Sequence, residues 1–109
     1  MNNDPDVLYG DNWITCTPSA LVIRGYYFPR ASAKTVPYGA IRGVQEVELG
    51  IGRWRIWGAT DPRYWFHLDP KRPHKQLALV LDLGKAVHPV ITPEDPGQVK
   101  GILDQRRAA

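Results

Sequence analysis

The stretch Thr92–Arg107 carries the only convincing helix signal in the sequence, and it constrains what the rest of the chain can be. Asp95 is a natural N-cap, with Pro96 at the first helical position and Gln98 at the third, a spacing typical of a capping box. A start at Thr92 would place Pro96 at a position where the helix needs a backbone N–H, which proline lacks, so we rank that start second. We therefore predict a short helix that begins just after Asp95.

The predicted helix has one narrow apolar stripe, formed by Val99, Ile102 and Leu103. A helix this short is marginally stable alone in water, so the stripe must pack against another surface. The preceding residues supply that surface as strands, because they form short alternating apolar segments separated by turn residues. These features predict a mainly β fold that is covered by one C-terminal helix.

Length and composition indicate a single globular domain. The chain has 109 residues, of which 43% are hydrophobic, and its four tryptophans argue against disorder. The polar, acidic N-terminus lacks the apolar segment of a signal peptide, and the single Cys16 suits a reducing compartment. We predict a flexible arm over residues 1–11 and one domain over residues 12–109 of a soluble, cytoplasmic protein. No apolar run is long enough to span a membrane.

The apolar alternation predicts about seven short antiparallel strands. Gly25 allows a bulge or a bend after the second strand. A three-residue turn after the leucine-rich strand sets Leu79 opposite Ile91, and Pro89 predicts that this last strand lies at a sheet edge. The segment 69–76 holds two prolines and four basic residues counting histidine, so it is predicted to be an exposed loop.

The segment 41–57 has the pattern of a β-hairpin. A two-residue turn at Gly50–Ile51, or a four-residue loop around it, sets Val47 opposite Trp54 on the inner face. A three-residue loop would set Val47 against a charged side chain, so we reject it. The accepted register also forms two pairs of opposite charge on the outer face. These pairs are Glu48 with Arg53 and Glu46 with Arg55.

The order of several motifs resembles a known family. The segments ITCTPSALVIRG, KTVPYGAIRGVQEV, RWRIWG, YWFHLD and VITPEDPGQV together are similar to a bacterial pleckstrin-homology-like domain. The resemblance covers Trp13 to about Arg107. It implies a partly open barrel of about seven antiparallel strands in two roughly orthogonal sheets, capped by one C-terminal α-helix. It also implies a binding or assembly role, since the family shares no catalytic residues.

No catalytic, metal-binding or nucleotide-binding motif is found in the sequence. His67, His74, His88 and Cys16 stand on separate segments, so their spacing indicates neither a zinc site nor a Cys–His pair. Phosphate-loop and serine-hydrolase motifs are missing as well. We therefore predict a non-enzymatic protein with no cofactor.

Basic residues on two loops are the candidate anion-binding residues. The resemblance implies that an early strand–loop region can hold a phosphate head group, and the PRASAK loop occupies that position. The alternative for both loops is ordinary solvated surface charge. The net charge of +3 is small, so nucleic-acid binding is not expected. The candidates are Arg24, Arg30 and Lys34 around the first loop and Arg63, Lys71, Arg72 and Lys75 around the second.

Trp57 is the candidate interface residue. Four tryptophans exceed what one small core can hold, and Trp57 shares a strand face with the outward residues Arg53 and Arg55. We predict that Trp57 contacts a protein partner or a second copy of the chain. The predicted function is thus a protein-interaction or assembly module. Peripheral binding of anionic lipid or of a phosphorylated ligand through the basic loops is the alternative.

Overall fold

The computed structural model describes residues 7–50, 57–58 and 63–107, and the strands and helix below lie within them. In chain order these are β1 (Tyr9–Gly10), β2 (Ile14–Cys16), β3 (Ala20–Tyr27), β4 (Ser32–Pro37), β5 (Gly43–Glu48), β6 (Tyr64–Phe66), β7 (Leu77–Asp82), β8 (His88–Ile91) and α1 (Pro96–Arg107). The eight strands form two sheets. Sheet A has the order β1-β2-β3-β4, and sheet B has the order β5-β7-β8-β6.

Sheet A contains the segment around Cys16 in which apolar and polar residues alternate. β2 pairs antiparallel with β3, so that Ile14 lies opposite Ile23 and Cys16 lies opposite Leu21. Successive side chains of a strand point to opposite faces, which places these four residues on one face. All four are buried, so this face is the core side of sheet A.

Of the bulge or bend predicted at Gly25, the structure has the bulge. The register between β3 and β4 shifts between Ile23 and Tyr27, and Gly25 has a φ of +67°. A Cβ atom at this position would lie 2.8 Å from Cζ3 of Trp13 and 3.1 Å from Cβ of Leu68. Glycine is therefore required here by the backbone conformation and by the close approach of two side chains.

β7 is an inner strand of sheet B and pairs with a neighbour on each side. β5 pairs antiparallel with β7 over all six of its residues, and β8 pairs with the other side of β7. Leu79 lies opposite Ile91, as predicted from the turn between these strands. Residues 53–55, which the sequence predicts as the hairpin partner of β5, lie outside the described residues.

Two predictions about β8 are wrong. β8 is an inner strand between β7 and β6, and it pairs with β6 in parallel. Pro89 is tolerated there because the N–H of His88 donates to the carbonyl of Arg63 at 2.7 Å, which turns the nitrogen of Pro89 away from β6. On the side of β8 that faces β7, Val90 opposite Val80 is the last paired residue. Pro89 therefore lies just beyond the paired region, where its missing N–H breaks no hydrogen bond of the register.

Helix α1 begins and packs as the sequence predicts. Oδ1 of Asp95 accepts a hydrogen bond from the N–H of Gln98 at 3.1 Å, which is the geometry of an N-cap. Val99 and Leu103 are fully buried in the main core, and Ile102 packs against that core while half-buried. Each fully buried aliphatic side chain contributes about 1.5–3 kcal/mol, so the stripe holds α1 on the sheets.

The described part of the predicted N-terminal arm, residues 7–11, is attached to the domain. β1 pairs with β2, and Leu8 and Tyr9 pack against the main core. The hydroxyl of Tyr9 donates to Oδ2 of Asp11 at 2.5 Å, and the N–H of Glu94 donates to the same oxygen at 2.8 Å. Asp11 thereby joins β1 to the segment in front of α1. Residues 1–6 lie outside the described residues.

The main core draws its buried residues from both sheets and from α1. Within the part of the chain that the structure describes, no strand pairing joins sheet A to sheet B, so the sheets do not close into a barrel. The predicted mainly β fold with a C-terminal helix is confirmed. The pleckstrin-homology-like architecture stays a prediction.

Candidate functional site

The turn between β3 and β4 is short and tightly closed. Only residues 28–31 separate the two strands, and the N–H of Ala31 donates to the carbonyl of Tyr27 at 2.8 Å. Ala31 has a φ of +57°, a left-handed conformation that lets the chain reverse within four residues. The turn therefore fixes the path of the backbone between β3 and β4.

Aromatic side chains cluster at this turn, and two of them are exposed. Phe28 is 68% exposed and Tyr27 is 45% exposed. The ring of Phe28 meets the ring of Trp57 edge to face, with centroids 5.0 Å apart. Trp57 itself is half-buried, and its Nε1–H donates to the carbonyl of Tyr26 at 3.4 Å. The three rings of Tyr27, Phe28 and Trp57 thus present an apolar surface at the end of β3.

One cation borders two tyrosine rings, and a second cation lies in the turn. The ammonium of Lys34 lies 5.5 Å from the ring centre of Tyr26 and 5.6 Å from that of Tyr27, and it donates to the hydroxyl of Tyr27 at 3.3 Å. Arg30 is exposed in the turn itself. We call the set Tyr27, Phe28, Arg30, Lys34 and Trp57 the aromatic tip. It unites residues that the sequence assigned to two separate candidates, an anion-binding loop and a protein interface.

Arg24, the third residue of the first candidate cluster, has a structural role. Its guanidinium donates to the carbonyls of Asp11 at 2.5 Å and Asn12 at 3.2 Å and to the hydroxyl of Thr15 at 2.7 Å. These bonds cross from β3 to β2 and to the turn that precedes it. Arg24 therefore stabilises sheet A, and its guanidinium is bonded to β2 and the preceding turn and not to the aromatic tip.

The second candidate cluster is divided between surface and interior. Arg63 and Lys71 are exposed, and the guanidinium of Arg63 lies 5.6 Å from the ring centre of Tyr64. Arg72 is fully buried, with Nη2 donating to the carbonyl of His67 at 2.7 Å. The prediction that residues 69–76 form an exposed loop is therefore wrong at Arg72.

Asp69 is the second buried residue of that segment. Its Oδ2 accepts hydrogen bonds from the hydroxyl of Thr92 at 2.5 Å and from the ammonium of Lys75 at 2.7 Å, and its Oδ1 accepts the N–H of Lys71 at 3.0 Å. Lys75 also donates to the carbonyl of Thr92 and lies 3.3 Å from a carboxylate oxygen of Glu94. A buried carboxylate is tolerated when its oxygens are paired in this way.

The pKa values follow from this packing. Burial, reinforced by the charge of Arg72, lowers the pKa of His67 to about 4. Burial alone would raise the pKa of Asp69, but the hydrogen bonds from Lys75 and Thr92 and the nearby positive charges bring it below its usual value. Burial lowers the pKa of Arg72 to about 10. Because His67, Asp69 and Thr92 are all at 0% exposure, this cluster is a junction in the interior that joins the segment after β6 to the segment before α1.

A shallow groove lies on the outer side of sheet B. It encloses about 340 Å³, and its lining includes Asp82 of β7, His88 of β8 and Tyr64 of β6. The rings of Tyr64 and His88 lie 5.8 Å apart. Among the described residues, no group of three or more histidine, cysteine, aspartate or glutamate side chains is placed to hold a metal ion.

Comparisons with protein-family models, with curated proteins and with solved structures find no match. In the part of the chain that the structure describes, no helix is both long and apolar enough to cross a membrane.

Phe28, the most exposed aromatic residue of the aromatic tip, was not among the residues predicted from the sequence. Its signal was the aromatic run from Tyr26 that continues past the strand into Pro29.

Proposed function

We propose that this protein is a non-enzymatic interaction module of pleckstrin-homology-like architecture that binds a protein partner through the aromatic tip. The observation that carries this proposal is the 68% exposure of Phe28, whose ring is held edge to face against Trp57. An aromatic side chain that is exposed yet fixed by a neighbour loses little conformational freedom when a partner covers it. It is therefore a favourable anchor for binding.

The composition of the aromatic tip also suits a protein interface. Tryptophan, tyrosine and arginine are enriched among the residues that contribute most to protein–protein affinity, and the tip contains one of each. Burying the Phe28 ring in a partner's pocket would contribute roughly 1.5–3 kcal/mol.

The lone Cys16, which has no second cysteine in the sequence to pair with, supports a reducing compartment such as the cytoplasm.

Site-specific photo-crosslinking in cells that produce the protein tests the proposal. A benzophenone amino acid replaces Phe28 in one variant and Val87 in a matched control, because Val87 is 44% exposed but lies in the turn between β7 and β8. We expect a discrete protein adduct from position 28 that is missing from position 87. Identical adducts from both positions, or none from position 28, would contradict the proposal.

Peripheral binding of anionic lipid is the second candidate function. The observation in its favour is the position of Lys34 over the exposed ring of Tyr27, close in sequence to the exposed Arg30, since cations next to aromatic rings suit the interface of an anionic bilayer. Flotation with phosphatidylglycerol and phosphatidylcholine vesicles at low salt separates the two candidates. Binding to the anionic vesicles that Phe28→Ser abolishes would favour the lipid.

A further inference from the structure

We propose that the partner of the aromatic tip adds an extended acidic segment to sheet A as a new strand beside β4. This inference rests on the proposed function and names the chemistry of the partner. Three features of the molecule carry it: the position of β4 at a sheet edge, the charge of the surrounding sequence and the continuity of β4 with the aromatic tip.

β4 is the last strand of sheet A. Its inner side pairs with β3, and no described residue pairs with its outer side. Ser32, Ala33, Thr35 and Pro37 are exposed along it. The N–H and C=O groups on the outer side of an edge strand are available to an extended peptide, which binds by continuing the hydrogen bonding of the sheet.

The sequence around β4 carries only positive charge. Residues 12–45 contain four basic residues and no aspartate or glutamate, which gives this segment a net charge of +4. The rest of the chain has ten basic and eleven acidic residues and carries −1. Of the four cations, Lys34 lies within β4 and Arg30 lies in the turn that leads into it. An acidic strand is therefore the electrostatic complement of this edge.

The same charges disfavour a second copy of the chain at this edge. Pairing β4 with another β4 would bring together two segments of net positive charge, and such a juxtaposition of like charges is unfavourable. A bilayer is also less well matched, because recognition of anionic membranes by charge typically uses about four to eight clustered basic residues. The aromatic tip has two, Arg30 and Lys34.

An added strand would run directly past the aromatic tip. β4 begins at Ser32, and the tip residues Phe28 and Arg30 lie in the turn just before it. One end of a segment paired with β4 would therefore lie at the turn that carries Phe28 and Arg30. Main-chain hydrogen bonds would supply affinity along β4, while an apolar residue against Phe28 and an acidic residue against Lys34 would supply specificity.

Synthetic peptides test this binding mode on the full chain. The probe is a fluorescent peptide of alternating glutamate and valine, about ten residues long to match a strand. One control replaces glutamate with lysine, and a second carries N-methyl groups at alternate residues to remove donors for pairing. Affinity is measured by fluorescence anisotropy, and pairing is measured by amide hydrogen exchange of residues 33–36.

We expect the glutamate peptide to bind at least about tenfold more tightly than either control and to slow amide exchange in β4. The double variant Arg30→Glu with Lys34→Glu should reverse the preference between the glutamate and lysine peptides, which also shows that the variant is folded. Equal affinity for both peptides, or binding without protection of β4, would overturn the inference. Preferential binding of phosphatidylglycerol vesicles over the glutamate peptide would overturn it in favour of a membrane.

The outcome is separable from that of the proposed function. A protein adduct from position 28 together with no binding of the glutamate peptide would reject the acidic strand and leave the interaction module standing. Binding of the peptide to β4 without any adduct from position 28 would reject the aromatic tip as the interaction site, and with it the link between tip and edge.

Discussion

The backbone N–H of Thr92 donates a hydrogen bond to Nε2 of His67 across 3.1 Å. Since Nε2 must accept, the proton of the neutral ring is on Nδ1, which lies 2.8 Å from the carbonyl of Leu68 and donates to it. This pair joins the end of β6 to the segment that leads into α1. Its geometry requires an uncharged imidazole, and the stability of the fold should therefore depend on pH.

The protonation of His67 should weaken the fold in mild acid. Its pKa is about 4 in the folded state and about 6.5 in the unfolded chain, so the unfolded chain binds the proton first as the pH falls. The stabilisation is complete above pH 6.5 and is lost progressively toward pH 4, with a total change of roughly 3 kcal/mol. Urea denaturation at a series of pH values measures it.

A matched histidine supplies the control for this pH dependence. His74 is exposed, so His74→Gln should leave the change in stability between pH 7 and pH 4 intact. Direct titration of the His67 ring by NMR gives an independent check. A ring that titrates near its ordinary value, or a pH profile that His74→Gln flattens, would show that His67 is not the responsible group.

Thr92→Val should destabilise the domain by about 1–3 kcal/mol. The substitution keeps the shape of the side chain but removes the hydroxyl that donates to the buried carboxylate of Asp69 at 2.5 Å. Thr35→Val is the matched control, because Thr35 is an exposed residue of β4 and should change stability by less than about 0.5 kcal/mol. Equal unfolding midpoints for the two variants in urea would refute a stabilising role for the Thr92 hydroxyl.

Gly25→Ala should destabilise the domain by about 2–4 kcal/mol. Its φ of +67° is unfavourable for alanine, and the new methyl group would lie 2.8 Å from the indole of Trp13. Gly39→Ala provides the comparison, since Gly39 has nothing within 4 Å of a new Cβ and lacks a positive φ. Thermal unfolding measures both variants. A small effect at Gly25 would mean that the bulge can rearrange.

Gly101→Ala should stabilise the domain by about 0.5–1 kcal/mol, because Gly101 lies inside α1 and alanine restricts the unfolded chain. Gly50→Ala should instead destabilise it by about 1–2 kcal/mol, since Gly50 has a φ of +54°. Both sites have open space around a new Cβ, so the comparison isolates backbone conformation. A change of the same sign at both glycines, measured by urea denaturation, would contradict this explanation.

Local pairing and the helix were predictable because their causes are local. The cap at Asp95, the apolar spacing of Val99 and Leu103, and the short turn that sets Leu79 opposite Ile91 all depend on residues close together in the chain. Hydrophobic periodicity and turn length determine such features directly. The same reasoning located the bulge at Gly25, where only glycine fits.

The position of β8 and the burial of the segment after β6 were not predictable in this way. Pro89 was assigned to an edge because proline usually interrupts a sheet, and the local end of the β7 pairing that accommodates it is invisible in sequence. Asp69 and Arg72 stand in a stretch rich in proline and charge, which ordinarily indicates solvent. Their partners are supplied by Thr92, far along the chain, and by the carbonyl of His67.

The sequence alone determined the mainly β class, the core face of each hairpin whose strands are described, and the start of α1, because burial of alternating apolar side chains and N-capping act over a few residues. Tertiary structure decided which polar groups could be buried and which aromatic rings stayed outside. A charge enters the interior only when its polar partners surround it, and a ring is exposed only when no other segment covers it. Asp69 and Phe28 are the two clearest cases, since the burial of one depends on Thr92 from a distant segment and the exposure of the other depends on which segments pack over the end of β3.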